Sequence, residues 1–222
     1  MAVFDDLYAS FDDYFGLEPD DLILQFNRSL DRAGRVLDIG AGQGRNALFL
    51  ARRGCAVDAL EPSAVAVEQM RSRAADDMSS LRIFHGGFET FSPDVECYTG
   101  ILVFGIIQEL PRESIGALMR HINAWTREDS LALVTAFTVE DPGFGDISQA
   151  WRAIGKNSFS DDAGFVRTFL ELGELRLLFG GWEALHYWEG LGAEHSHGGD
   201  APHRHGRVEA MFRKGPGAAS GH

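Results

Sequence analysis

Residues 36–46 read V-L-D-I-G-A-G-Q-G-R-N: an apolar strand carrying Asp38, glycines at positions 40, 42 and 44, then a polar helix start. No other stretch constrains the fold as strongly. Glycines after a strand let the chain turn sharply and pass close to a ligand with no Cβ in the way, and the amides of the following helix attract a negative group. A carboxylate or phosphate is expected there. Strands are expected at about 35–39, 56–60, 81–85, 99–104 and 130–137, with helices at about 44–53, 63–75 and 112–126. Such strand–helix alternation predicts a parallel, doubly wound α/β sheet. Leu22, Ile23, Phe26 and Leu30 give an amphipathic helix over 19–32. Beyond residue 138 the chain reads as irregular to about 162, then a helix near 163–179 and two strands near 183–189 and 207–213, a terminal hairpin.

The 222 residues suffice for one α/β domain, taken as 1–214, with 1–32 as an N-terminal helix and lid, 139–162 as a substrate-side insertion and 215–222 as a disordered tail. A net charge of −13 opposes nucleic-acid phosphates and anionic lipid, so a small-molecule substrate is expected, with neither nucleic acid nor membrane as partner. The acidic start M-A-V-F-D-D and the lack of an apolar run of ~20 residues predict a cytoplasmic protein, monomeric or homodimeric. Cys55 and Cys97 read as two reduced thiols beside strands.

Spacing narrows the ligand. A dinucleotide fingerprint, G-x-G-x-x-G, would place its third glycine at 45, where this chain has Arg45. Arginine suits a small ligand that brings its own carboxylate. The second strand ends at Glu61, 21 residues after Gly40, where an acid can bridge the two hydroxyls of a ribose. S-adenosylmethionine (SAM) joins an amino acid to adenosine and fits both ends.

V-L-D-I-G-A-G-Q-G-R-N and the downstream A-L-E-P resemble the class I SAM-dependent methyltransferases. G-R-N-A-L-F-L-A-R-R-G-C-A-V-D-A, and G-E-L-R-L-L-F-G-G-W-E-A-L-H-Y-W-E over 173–189, are similar to the tellurite-resistance branch. The resemblance implies a Rossmann-like, doubly wound, mostly parallel seven-stranded sheet with helices on both faces and a C-terminal antiparallel hairpin. It implies SAM as cofactor, S-adenosylhomocysteine (SAH) as product, and a tellurium or selenium oxyanion or a thiol as acceptor. Carried onto this chain, Asp38, Gly40, Ala41 and Gly42 build the turn, Arg45 and Asn46 face the methionine end, and Glu61 and Pro62 meet the ribose. Gly87 and Phe88 stand at the adenine, although the family has an acid where this chain has Gly87, and Phe104 ends the fourth strand.

The loop 190–206 carries His195, His197, His203 and His205 as two H-x-H pairs. Side chains at i and i+2 of an extended chain share a face, and a hairpin can bring two pairs together, so four imidazoles can serve tetrahedral zinc; a solvated turn is the alternative. Without metal, His195, His197, Arg204 and Arg207 are the catalytic candidates, able to hold an anionic acceptor or take its proton. The branch places a histidine and an adjacent arginine in this loop; here His195 matches the histidine and Ser196 stands in place of the arginine. Two rival functions stay open. Phe144, Trp151 and Phe159 suit a pocket for a specialised metabolite methylated at oxygen or nitrogen, and the histidines suit a metal- or SAM-sensing module. Tyr14 and Phe15 read as a lid or as plain packing, and His85, His121 and His186 as structural or exposed.

Overall fold

A computed structural model describes residues 4–30, 34–74, 79–196 and 201–217. In chain order, α1 (Asp5–Ser10) and α2 (Asp21–Phe26) lead into β1 (Arg35–Ile39), α3 (Arg45–Arg52), β2 (Ala56–Glu61), α4 (Ala64–Arg73) and β3 (Leu81–His85). Then come β4 (Tyr98–Phe104), a 3-10 turn (Ile107–Glu109), α5 (Arg112–Trp125) and β5 (Thr126–Phe137). The C-terminal third holds α6 (Phe144–Ala150), β6 (Arg152–Gly155), β7 (Ser158–Ser160), β8 (Val166–Thr168), α7 (Glu174–Leu178), β9 (Trp182–Leu191) and β10 (Gly206–Lys214).

Seven strands form one sheet in the order β3-β2-β1-β4-β5-β10-β9. β1 to β5 pair in parallel, and β10 runs antiparallel between β5 and β9. β1, β2 and β4 are buried on both faces because both are covered. In β4, Ile101 and Val103 face a core shared with Leu118, Ile122 and Trp125 of α5, while Leu102 faces the other core with Leu22, Leu48 and Met70 of α2, α3 and α4. Strand order reverses between β1 and β4, and a crevice opens there at the carboxyl ends of the strands. Away from that rim, buried Asp58 of β2 is held by Arg35, Arg82 and the Tyr98 hydroxyl.

Helix starts follow side-chain capping: Asp20 accepts the Leu22 amide at 3.0 Å and Ser63 accepts that of Ala66 at 3.1 Å. Three expectations are corrected. The helix expected over 19–32 is shorter, Asp21–Phe26, and residues 31–33 lie outside those described. The helix expected near 163–179 is instead β8, an extended Phe169–Leu170 and then α7. Left-handed Gly173 (φ 77°) interrupts the helical run, and Leu170 exchanges backbone hydrogen bonds with Phe137 and Val139 at 2.9 Å. The stretch read as irregular contains α6, β6 and β7, and the latter two join β8 in a separate three-stranded sheet. Of the tail expected from 215, residues 218–222 lie outside those described. Among the described residues no helix is long and apolar enough to cross a membrane.

Candidate active site

The crevice is a cavity of about 920 Å³. Its floor is the glycine turn. Gly40, Gly42 and Gly44 all have positive φ, and a Cβ on Gly40 would stand 2.0 Å from Ile106 Cδ1, so the first turn admits no side chain. Buried Glu61 accepts the Gly42 amide on Oε2 and the Ser63 amide on Oε1, each at 2.8 Å. Burial raises its carboxyl and these two amides oppose the rise. Asp38 lies buried under the turn, where burial and then the Glu61 charge push it up to about 7, against Arg45 and the Ala47 amide. Its Oδ2 is buried without a hydrogen-bond partner.

The N-terminal segment roofs this floor. Gln43 accepts the Tyr14 amide at 2.8 Å and donates to Phe11 O at 2.6 Å, while Asn46 Oδ1 accepts the Asp20 amide at 2.9 Å. Arg45 donates to Phe15 O at 3.1 Å and lies 3.6 Å from the Asp20 carboxylate. Tyr8, Tyr14 and Phe15 line the cavity together with Ala41, Arg45, Asn46, Pro62 and Phe104. Burial raises the Tyr8 phenol, Glu61 and Glu109 adding to it, so it stays protonated.

Gly87 and Phe88 also line the cavity, although Phe88 is mostly core, 5% exposed. The acid missing at position 87 has a neighbour: Glu89 Oε2 lies 2.6 Å from the point a Cβ on Gly87 would occupy, and Glu89 is a lining residue.

The far wall comes from the 3-10 turn after β4, the end of β5 and the chain at β8: Gln108, Glu109, Phe137, Phe165 and Arg167. Arg167 holds Glu109 at 2.5 Å, yet burial lifts that carboxyl to about 7. Phe144, Trp151 and Phe159, expected as pocket walls, are not among the lining residues. Phe144 packs on Phe159 and Phe169 at 6.1 and 5.1 Å as the small core of the insertion.

The histidine loop continues the β9–β10 pairing beyond the strands. His195 and His203 exchange two backbone hydrogen bonds at 2.9 Å, and the Gly192 amide donates to His205 O at 2.8 Å. His205 stacks on Phe137, centroids 4.1 Å apart, and its Nδ1 lies 2.8 Å from Asp141 Oδ2, which also accepts the Gly206 amide at 3.1 Å. His195, His205 and Arg207 line the cavity; Arg204 is exposed and does not, and His197 lies outside the described residues. Burial, with His205, His203 and Arg207 nearby, holds the His195 imidazole below the ordinary histidine range although the Ala193 carbonyl opposes this. Sequence reading missed Tyr8, Gln108, Glu109, Asp141 and Arg167; none sits in a local pattern that marks it, and each is brought in by a chain crossing.

Residues 36–129 match the family model of a methyltransferase domain. That match takes in β1 to β4 and α5, the part of the sheet that builds the glycine turn. Solved structures share this chain's fold. One comes from the conversion of a disulfide bond into a thioacetal group during echinomycin biosynthesis: 19% identity, 98% of this chain and 93% of that one covered, TM-score 0.72. A second is the Burkholderia thailandensis 1,6-didemethyltoxoflavin-N1-methyltransferase with bound substrate and SAH: 15% identity, 97% and 79% covered, TM-score 0.61. A third is TehB from Haemophilus influenzae: 18% identity, 87% and 61% covered, TM-score 0.63. No curated protein sequence matches the chain.

Proposed function

We propose that this methyltransferase moves a methyl group from SAM to a heteroatom of a small organic molecule. The observation that carries the reading is that one cavity of about 920 Å³ has two differently built ends. At that volume it lies near the top of the usual ligand range, roughly 300–1,000 Å³. One end is the glycine turn with Glu61; the other is an aromatic wall of Phe137 and Phe165 beside His195, His205 and Arg207.

The first end fits SAM. Gly40 leaves room where any Cβ would collide, Glu61 offers carboxylate acceptors for ribose hydroxyls, and Glu89 can accept the adenine amino group in place of the acid missing at 87. Buried, unpartnered Asp38 Oδ2 adds negative character beneath a cationic amino acid. When bound, SAM supplies a methyl carbon activated by a sulfonium, so the chain's task is chiefly positioning. Tyr8, Tyr14 and Phe15 exclude water above the turn. The imidazole wall clamps the acceptor's nucleophile and receives its proton where it has one.

A second reading keeps the chemistry and changes the acceptor to a thiol or a tellurium or selenium oxyanion, supported by His195, His205 and Arg207 on one wall, with His203 beside the two imidazoles. The likeness to TehB supports the fold of this reading rather than its substrate. SAH release from SAM, assayed against phenols, aromatic amines, a thiol, tellurite and selenite, separates the two. Turnover on phenols or amines is expected. Turnover confined to chalcogens or the thiol would select the second reading, and SAM binding without SAH from any acceptor would replace both with a sensing role.

A further inference from the structure

We propose that His195, His203 and His205 form a binding site for a divalent transition-metal ion such as zinc, set in the wall of the cavity. Backbone geometry gathers the three rings. His195 and His203 are a cross-strand pair closed by two hydrogen bonds at 2.9 Å, which places both side chains on one face, and His205, two residues on, shares it. Ring centroids stand 4.7, 5.2 and 5.0 Å apart.

Behind each ring an oxygen faces Nδ1: the Ala193 carbonyl at 3.1 Å, the Ala201 carbonyl at 2.9 Å and the Asp141 carboxylate at 2.8 Å. A proton held on Nδ1 puts the ring's lone pair on Nε2, the arrangement that orients histidines for metal binding. One ligand atom from each residue falls within 4.8 Å of the others. Tetrahedral zinc with bonds of about 2.0–2.1 Å holds its nitrogens roughly 3.3 Å apart, a distance small side-chain rotations reach.

Charge agrees. Three imidazolium ions at this spacing would repel one another, whereas neutral imidazoles around a cation attract it, and the Asp141 carboxylate lies behind His205. Arg207, the nearby cation, opposes the ion but is engaged by Glu209 at 2.8 Å. An all-imidazole set selects zinc, cobalt, nickel or copper over magnesium or calcium. Because His195 and His205 line the cavity, the ion would sit beside the acceptor's space, and it would lower the proton affinity of an acceptor hydroxyl or thiol bound to it where a bare imidazole would otherwise take its proton. The site rests on the proposed methyl transfer only for this last role.

The test uses the full chain, stripped with chelator and titrated with Co²⁺ as probe. One Co²⁺ per chain with the visible absorption of a four-coordinate ion is expected, and H195Q and H203Q should each weaken binding at least about 100-fold. H186Q, a histidine on β9, should bind as wild type. Metal should also shield His195, His203 and His205 from diethyl pyrocarbonate in the unaltered protein, read by mass spectrometry, so the result does not depend on the variants folding. Absence of stoichiometric Co²⁺, binding that survives both substitutions, or no shielding would overturn the site. Co²⁺ bound without SAM binding would sink the donor assignment and leave this one standing; SAM bound without Co²⁺ would do the reverse.

Discussion

Glu61 holds two backbone amides and faces the cavity, so it shapes the turn and its ligand together. Removing a buried, charge-assisted acceptor is worth roughly 1.5–3 kcal/mol. E61A should therefore weaken SAM binding by about 10- to 150-fold in calorimetry, and unchanged affinity would refute the ribose role. Asp38 makes a different prediction. Its carboxyl is raised from 3.8 to about 7, so the folded state binds more protons than the unfolded one between those values, and its contribution to stability falls as pH rises through that window. Glu109, raised to about 7, acts in the same direction. The ligand-free protein should lose thermal stability from pH 5 to pH 7.5, and D38N should flatten that slope; an identical slope in the variant would argue against the assignment. Residue identity at these positions was legible because a glycine turn and a strand-end acid are local patterns. The carboxylate of Glu89 was not, since it reaches over Gly87 only through the fold of its turn.

At the level of elements, the roof is attached to the floor chiefly through Gln43. Its side chain meets Tyr14, Phe11 and Gln69, so Q43A should loosen the segment and speed SAM dissociation several-fold, by loss of roughly 1 kcal/mol per hydrogen bond. Stopped-flow rates equal to wild type would show that the roof closes without it. Gly206 links β10 to the insertion: a Cβ there would lie 2.2 Å from the Asp141 amide nitrogen. G206A should force this crossing apart and lower Tm by roughly 5 °C or more, at about 2–4 °C per kcal/mol for a chain of this size. A melting curve superimposable on wild type would contradict so tight a contact. Elements whose apolar period is unbroken were readable; 163–179 was not, because its helical period survives while Gly173 and the pairing of Leu170 with the edge of β5 decide the backbone.

For the molecule as a whole, a ligand that binds only the folded state stabilises it by mass action, about 2.7 kcal/mol at 100 times its Kd. SAH at that concentration should raise Tm by roughly 5–10 °C, and an unmoved transition would exclude the cavity as the donor site. By itself the sequence determined the alternating strands and helices, the glycine turn and the strand-end Glu61, because backbone turns and hydrophobic periods are encoded within a few residues. It also placed four histidines in one loop. Tertiary structure alone decided that β10 inserts between β5 and β9, that the insertion joins β8 in a separate sheet, and that Phe144 and Phe159 pack inward while Phe137 and Phe165 face the cavity. It also decided that the imidazoles of His195, His203 and His205 meet and that Asp141 stands behind one of them. Those outcomes depend on contacts between segments far apart in the chain, 64 residues in the case of His205 and Asp141, and no local pattern carries that information.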